Sequence, residues 1–334
     1  MSSGPCRTAS AAALVATVAV LAACSGAGAQ PLVPAASPAT APPPATSPVG
    51  EVSSATAVRA LAVDPATRTL AVATDDRVLL SGLDGPGAAA REVPLTGPAV
   101  ALTVADGALL VAVPDAASLT EIRLPDGIPR DTTGLDGPVR AAATVGDRTV
   151  VALGNSVAVR EADGAVRTIG GFAGAAELVP VGDRVVVLDR ARTSLTLLDP
   201  AAGEAGRALR VGDGATSAVG DRFGRILVLD TREGELLVVA GDPLLLRQRY
   251  PVPGSPYGLA YDPQRDLAWI TLTARNEVVG FDVAAGGEPV ERYRFPTVQQ
   301  PDSVAVDPRS GRVFVGSASG AGLQMIDPGQ VTAQ

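Results

Sequence analysis

From residue 49 onward, short runs of apolar and β-branched residues alternate with polar breaks rich in Gly, Pro and Asp. Runs of this length bounded by turn residues read as strands. The clearest set fills residues 255–283, SPYGLAYDPQRDLAWITLTARNEVVGFDV. Residues 259–261 form a first strand ending at an Asp262-Pro263 turn, 267–273 a second, and 277–283 a third beyond the polar break at Arg275-Asn276. Residues 290–295, past Gly286-Gly287, add a fourth. Four short strands joined by turns are the unit of a propeller blade.

The unit recurs. Its first two strands and their turn read ALAVDPATRTLAVAT from Ala60, ALTVADGALLVAV from Ala101, AATVGDRTVVAL from Ala142 and ELVPVGDRVVVLD from Glu177. The remaining copies are SAVGDRFGRILVLD from Ser217, GLAYDPQRDLAWIT from Gly258 and SVAVDPRSGRVFVGS from Ser303. The turn aspartates, Asp64, Asp106, Asp147, Asp183, Asp221, Asp262 and Asp307, follow one another at intervals of 42, 41, 36, 38, 41 and 45 residues. A period near 40 carried by strands predicts an all-β, seven-bladed β-propeller of four-stranded blades. The recurring Asp is expected to accept bonds from turn amides and so to be structural.

After the third strand of the seventh copy, which ends at Asp327, only residues 328–334 remain, too few for a fourth. Residues 49–53 are expected to supply it, since Glu51-Val52 precedes blade one as Glu92-Val93 precedes blade two. Such pairing of the two ends closes the ring and removes its open seam. The predicted organisation is a signal peptide over 1–23, a lipidated Cys and Pro/Ala-rich tether over 24–48, and the propeller over 49–334.

The N-terminal part carries its own pattern. Arg7 is the only charge before Cys24, and the apolar run 11–21 is too short to span a bilayer as a helix. A charged start followed by such a run reads as a secretory signal. Leu21-Ala22-Ala23-Cys24, followed by Ser25-Gly26, is similar to the bacterial lipoprotein signal, which implies that Cys24 carries acyl chains such as palmitate and anchors the chain to the membrane. Ala27-Gly28-Ala29 would suit conventional cleavage and release instead. Residues 31–48, PLVPAASPATAPPPATSP, hold seven Pro in eighteen positions and predict an extended spacer of polyproline II type, with a Pro-rich ligand for another domain as the alternative.

Composition narrows the chemistry. All 27 basic residues are Arg, there is no His, and 35 acidic residues leave a net charge of -8. Without His the chain lacks the commonest general base and the imidazole ligand of most zinc and copper sites. Its two Cys, Cys6 and Cys24, both precede the propeller, so the folded body holds no disulfide or thiolate metal site. The acidic balance argues against a nucleic-acid partner, because that affinity rests on neutralising phosphates. No cofactor is expected, and the chain is expected to be a monomer.

In each blade the loop leading into the first strand and the loop between the second and third strands open on one face, the turn aspartates on the other. Ligands of propellers sit at the channel mouth, where chains enter the innermost strands. The polar candidates there are Arg59, Arg140, Glu177, Thr216, Tyr257 and Asp302, with Asp76, Asp115, Asn155, Asp189, Asp230, Arg275 and Asn276 from the second loops. Arg forks beside carboxylates and a Tyr suit a small anion or a peptide end. The plainer expectation is that Arg59 or Arg140 pairs with Glu177 or Asp302 and plugs the channel.

The run LAWIT…NEVVGFD…GGEPVERYRFP resembles the YVTN-type, or YncE-like, repeat of bacterial extracytoplasmic seven-bladed propellers, whose relatives include NHL and lactonase-type propellers. The pattern covers residues 49–328, with blades six and seven the good matches and blades two to four degenerate. Trp269, the single Trp, sets the chain apart from WD40 and quinone-cofactor propellers and is expected to lie between blades. The resemblance implies a lipid-anchored extracytoplasmic binding or scaffolding protein, with a protein, peptide or small molecule held at the channel face. The alternative it implies is a calcium-dependent lactonase-type hydrolase. That family's calcium is held by a Glu, two Asn and an Asp, whereas this chain has only Asn155 and Asn276, three blades apart.

Overall fold

Tight turns fold each alternating stretch back on itself as an antiparallel meander. In the computed structural model the described residues are Met1, Gly4, 32–84, 90–132, 134–284 and 287–331. The expected signal peptide (Met1 and Gly4 apart) and the expected lipidation site Cys24 lie outside them. From Leu32 to Gln334 the chain forms one unit, in which the strands build seven four-stranded sheets. Blade six, for example, comprises Pro256–Asp262, Leu267–Leu272, Glu277–Asp282 and Val290–Pro296, paired in that order.

The second strand of each blade is sandwiched between neighbours, and its composition reflects this. Every residue of Thr69–Ala73, Leu267–Leu272 and Val313–Ser317 is buried. Outer strands face solvent and are correspondingly polar, as in Glu204–Arg210. The core therefore lies between blades. Ala71 and Val78 of blade one cluster with Leu109 and Ile122 of blade two. Trp269 stacks on Tyr293 (centroids 5.5 Å) and Phe295 (6.3 Å) and packs with Val304 and Val315 of blade seven, as expected. Gly280 leaves room for that ring, since a Cβ there would stand 3.0 Å from it.

The ring closes through its two ends. Glu51–Ser53 pairs antiparallel with Leu323–Ile326, Val52 opposite Gln324, and completes blade seven. The buried Gln324 side chain adds a bond from Nε2 to the Val49 carbonyl (2.7 Å).

The turn aspartates divide into two sets. Asp64, Asp221, Asp262 and Asp307 accept bonds from amides two to four residues on, as expected. Blades two to four instead turn in two residues, Asp106-Gly107, Gly146-Asp147 and Gly182-Asp183, where positive φ at one or both positions makes the bend and the Asp is incidental.

One asymmetry matters for the site. The inner strands of blades one to three pair without interruption. Those of blades four to seven carry a bulge where they begin, between Ala175/Glu177, Ala215/Ser217, Pro256/Leu259 and Pro301/Ser303. A bulge re-aims the side chains beside it.

Candidate functional site

The first residues of all seven inner strands ring an opening of about 570 Å³ at the channel mouth. Arg59, Arg140, Glu177, Tyr257 and Asp302 all line it, joined by Arg190 and Ser217. Thr216 does not. The bulge in blade five turns it outward into a buried hydroxyl pair with Thr231 (2.5 Å), while Ser217 takes the lining position and donates to the Tyr257 carbonyl (2.8 Å).

Glu177 is the best-held group. Its Oε1 accepts from Arg190 Nη2 (2.6 Å) and its Oε2 from the Ala218 amide (2.6 Å), tying blade four to blade five. Burial still pushes its pKa up, because losing water costs the carboxylate more than Arg190 and the amide restore. Burial works most strongly against the charge on Arg190 too, but Glu177 and Tyr257 together outweigh it and hold this guanidinium's pKa up. The Tyr257 hydroxyl lines the same opening, and its pKa is raised chiefly by burial. Asp302, half-buried, is likewise raised by burial, and its one hydrogen-bond donor among the described residues is Gln300 Nε2 (2.8 Å).

The expected plug takes a different form. Glu177 is neutralised by Arg190, and Arg59 turns to Asp75 (2.6 Å), so neither Arg59 nor Arg140 pairs with Glu177 or Asp302. Arg140 is exposed and, among the described residues, makes no ion pair. Arg190 escapes sequence reasoning because it stands one residue past the second strand and reaches the mouth only through the length of its side chain. The Asp189-Arg190 ending was the only available signal.

The second loops are mostly structural. Asp189 accepts from the amides of Ala173 and Arg192, and Asp230 from those of Asp213, Gly214, Arg232 and Glu233. Asp76 pairs with Arg77 (2.6 Å), and Asn155 accepts from Ser156 (3.3 Å). Asp115 and Arg275 are exposed. Calcium of the lactonase type does not fit these residues. Both oxygens of Glu177 are already bonded, Asn276 is bonded to Pro42 and Gln300, and the exposed Asn155 does not line the opening. Among the described residues no three His, Cys, Asp or Glu converge.

Asn276 has another role, with residues 33–42. This segment, expected as a free spacer, lies instead along the mouth face of blades four to seven. The Val33 amide donates to the Ala191 carbonyl (2.8 Å), and Arg232 to the Pro34 carbonyl (2.7 Å). Asn276 Nδ2 donates to the Pro42 carbonyl (2.8 Å). Gln300 accepts from the Ala41 amide (2.8 Å) and donates to the Ala39 carbonyl (3.0 Å) as well as to Asp302. The same amide thus touches both the segment and the channel mouth.

No protein-family model matches the chain, and no curated protein matches it. Solved structures do. A chain of Kuenenia stuttgartiensis hydrazine synthase superposes with a TM-score of 0.67 at 16% identity, covering 83% of this chain and 97% of that one. A streptogramin B lyase gives 0.68 at 10%, covering 84% and 96%. The virginiamycin B lyase of Staphylococcus aureus gives 0.65 at 11%, covering 81% and 94%. The likeness is one of fold. At these identities the seven-bladed propeller carries over and the chemistry of those proteins does not.

Proposed function

We propose that this chain is a lipid-anchored binding protein of the cell envelope that holds a small zwitterionic or anionic ligand at its channel mouth. The observation that carries the ligand reading is unequal pairing around the opening. Arg140 is without a charged partner among the described residues, and Asp302 keeps spare acceptor capacity beside Tyr257 and the Glu177–Arg190 pair. A guanidinium with free donors is a ready partner for a carboxylate or phosphate, and a half-buried carboxylate for an ammonium. The envelope location rests on the Cys24 signal and on the YVTN-type pattern of blades six and seven. Binding is preferred to catalysis because the chain has no His and because Glu177, the best-placed carboxylate, is fully engaged by Arg190 and Ala218. The test is thermal unfolding of the full chain against a panel of amino acids, dipeptides and small carboxylates. A panel member at 100 times its Kd adds about 2.7 kcal/mol of stability, and Arg140→Ala should remove the shift. A panel that leaves the melting temperature unmoved overturns the reading.

A further inference from the structure

Every hydrogen bond that the mouth face makes to residues 33–42, among the described residues, ends on a main-chain atom of that segment. Ser255 and Thr273 hydroxyls accept from the Ala39 amide (3.0 and 3.1 Å), Gln300 reads Ala39 and Ala41, and Asn276 reads Pro42. No side chain of the segment takes part. Two of its positions pack closely: Ala41 is buried, and the Ala36 Cβ lies 3.1 Å from where a Cβ on Gly214 would stand, so the glycine makes room for the segment.

The contacts are also periodic. Val33 meets blade four, Ala36 blade five, Ala39 blade six, and Pro42 the loop of Asn276. Three residues separate each from the next, which is the repeat of a polyproline II helix. The receiving positions repeat as well. Ser255 and Gln300 are equivalent residues of blades six and seven, each directly before a Pro that starts an inner strand, and each held at positive φ (58° and 55°). The segment thus runs from blade four to blade six in steps of one turn of an extended helix, with Ala39 and Pro42 both on blade six and Gln300 of blade seven reaching Ala39 and Ala41.

We propose that the mouth face of blades four to seven is a recognition groove for extended proline- and alanine-rich polypeptide, occupied in cis by residues 33–42. A partner in trans is a segment of the same chemistry, and it binds by displacing the chain's own. The displacement is opposed by tethering, since a short linker such as residues 43–48 gives the cis segment a millimolar effective concentration. The groove adjoins the proposed mouth site through Gln300, but it stands or falls without the ligand proposed there.

The test uses the full chain carrying Ala39→Pro and Ala41→Pro. These changes delete two amide donors that the groove reads while preserving an extended backbone. A fluorescent peptide of sequence PLVPAASPATAPPP is expected to bind this variant at least tenfold more tightly than the parent, by anisotropy. Binding should be lost when Asn276→Ala and Gln300→Ala are added, and when the peptide carries the same two Pro. A Gly/Ser peptide of equal length binding as well, or a cooperatively folded variant that takes up no peptide, overturns the proposal. If the variant does not fold, the parent decides. Excess peptide should speed amide exchange at Ala39 and Ala41, and unchanged exchange at saturation counts against the groove.

Discussion

Glu177 and Arg190 show how a pair at the mouth of a channel earns its place. Their side chains are 23% and 28% exposed, between a surface pair and a buried one. Replacing Arg190 by Ala leaves the Glu177 carboxylate with the Ala218 amide alone, at an expected cost of about 1–3 kcal/mol; urea unfolding measures it, and an unchanged midpoint would show the pair to be dispensable. Asp302 allows a second test. Burial holds its pKa above the ordinary carboxylate range, so the folded chain takes up this proton before the unfolded chain does. Its contribution to stability is full at acid pH and is lost as the pH rises through the folded value. Asp302→Asn, fixed in a neutral form, should therefore melt higher than the parent at pH 7. The difference should shrink as the pH falls toward about 4, the ordinary range of the group.

Among the elements, the first strand carries most consequence for its size. Glu51–Ser53 is three residues long, yet without it the third strand of blade seven has a bare edge. A chain beginning at Ala57 should lose melting temperature across the whole propeller in one transition, by calorimetry, not merely shed a tail. This strand was legible in the sequence, because Glu51-Val52 repeats the pattern before blade two. The blades were legible for the same reason: buried second strands demand unbroken apolar runs, and seven copies average out local noise. The bulges were not. A one-residue shift moves a side chain to the opposite face, and nothing in SAVGDRFG marks Ser217 rather than Thr216 as the residue that faces the channel. The docking of residues 33–42 was hidden more deeply. A Pro-rich run reads as spacer on its own, and the groups that hold it, Ser255, Asn276 and Gln300, lie more than 200 positions away.

For the whole molecule, stability is held in a closed ring of interfaces between blades, while the candidate site lies on the rim. Proteins only 10–16% identical share the ring. Here five of the six candidate positions converge on one opening while the sixth turns away. The closure of the ring also has a consequence in time. Ser53 and its partner Leu323 are 270 residues apart, so the strand made first waits for one made almost last. At typical synthesis rates that wait is roughly 15–55 s, and pairing across such a separation is intrinsically slow. Throughout that interval blade seven cannot be completed, and the leading end of the chain remains available to whatever machinery handles it.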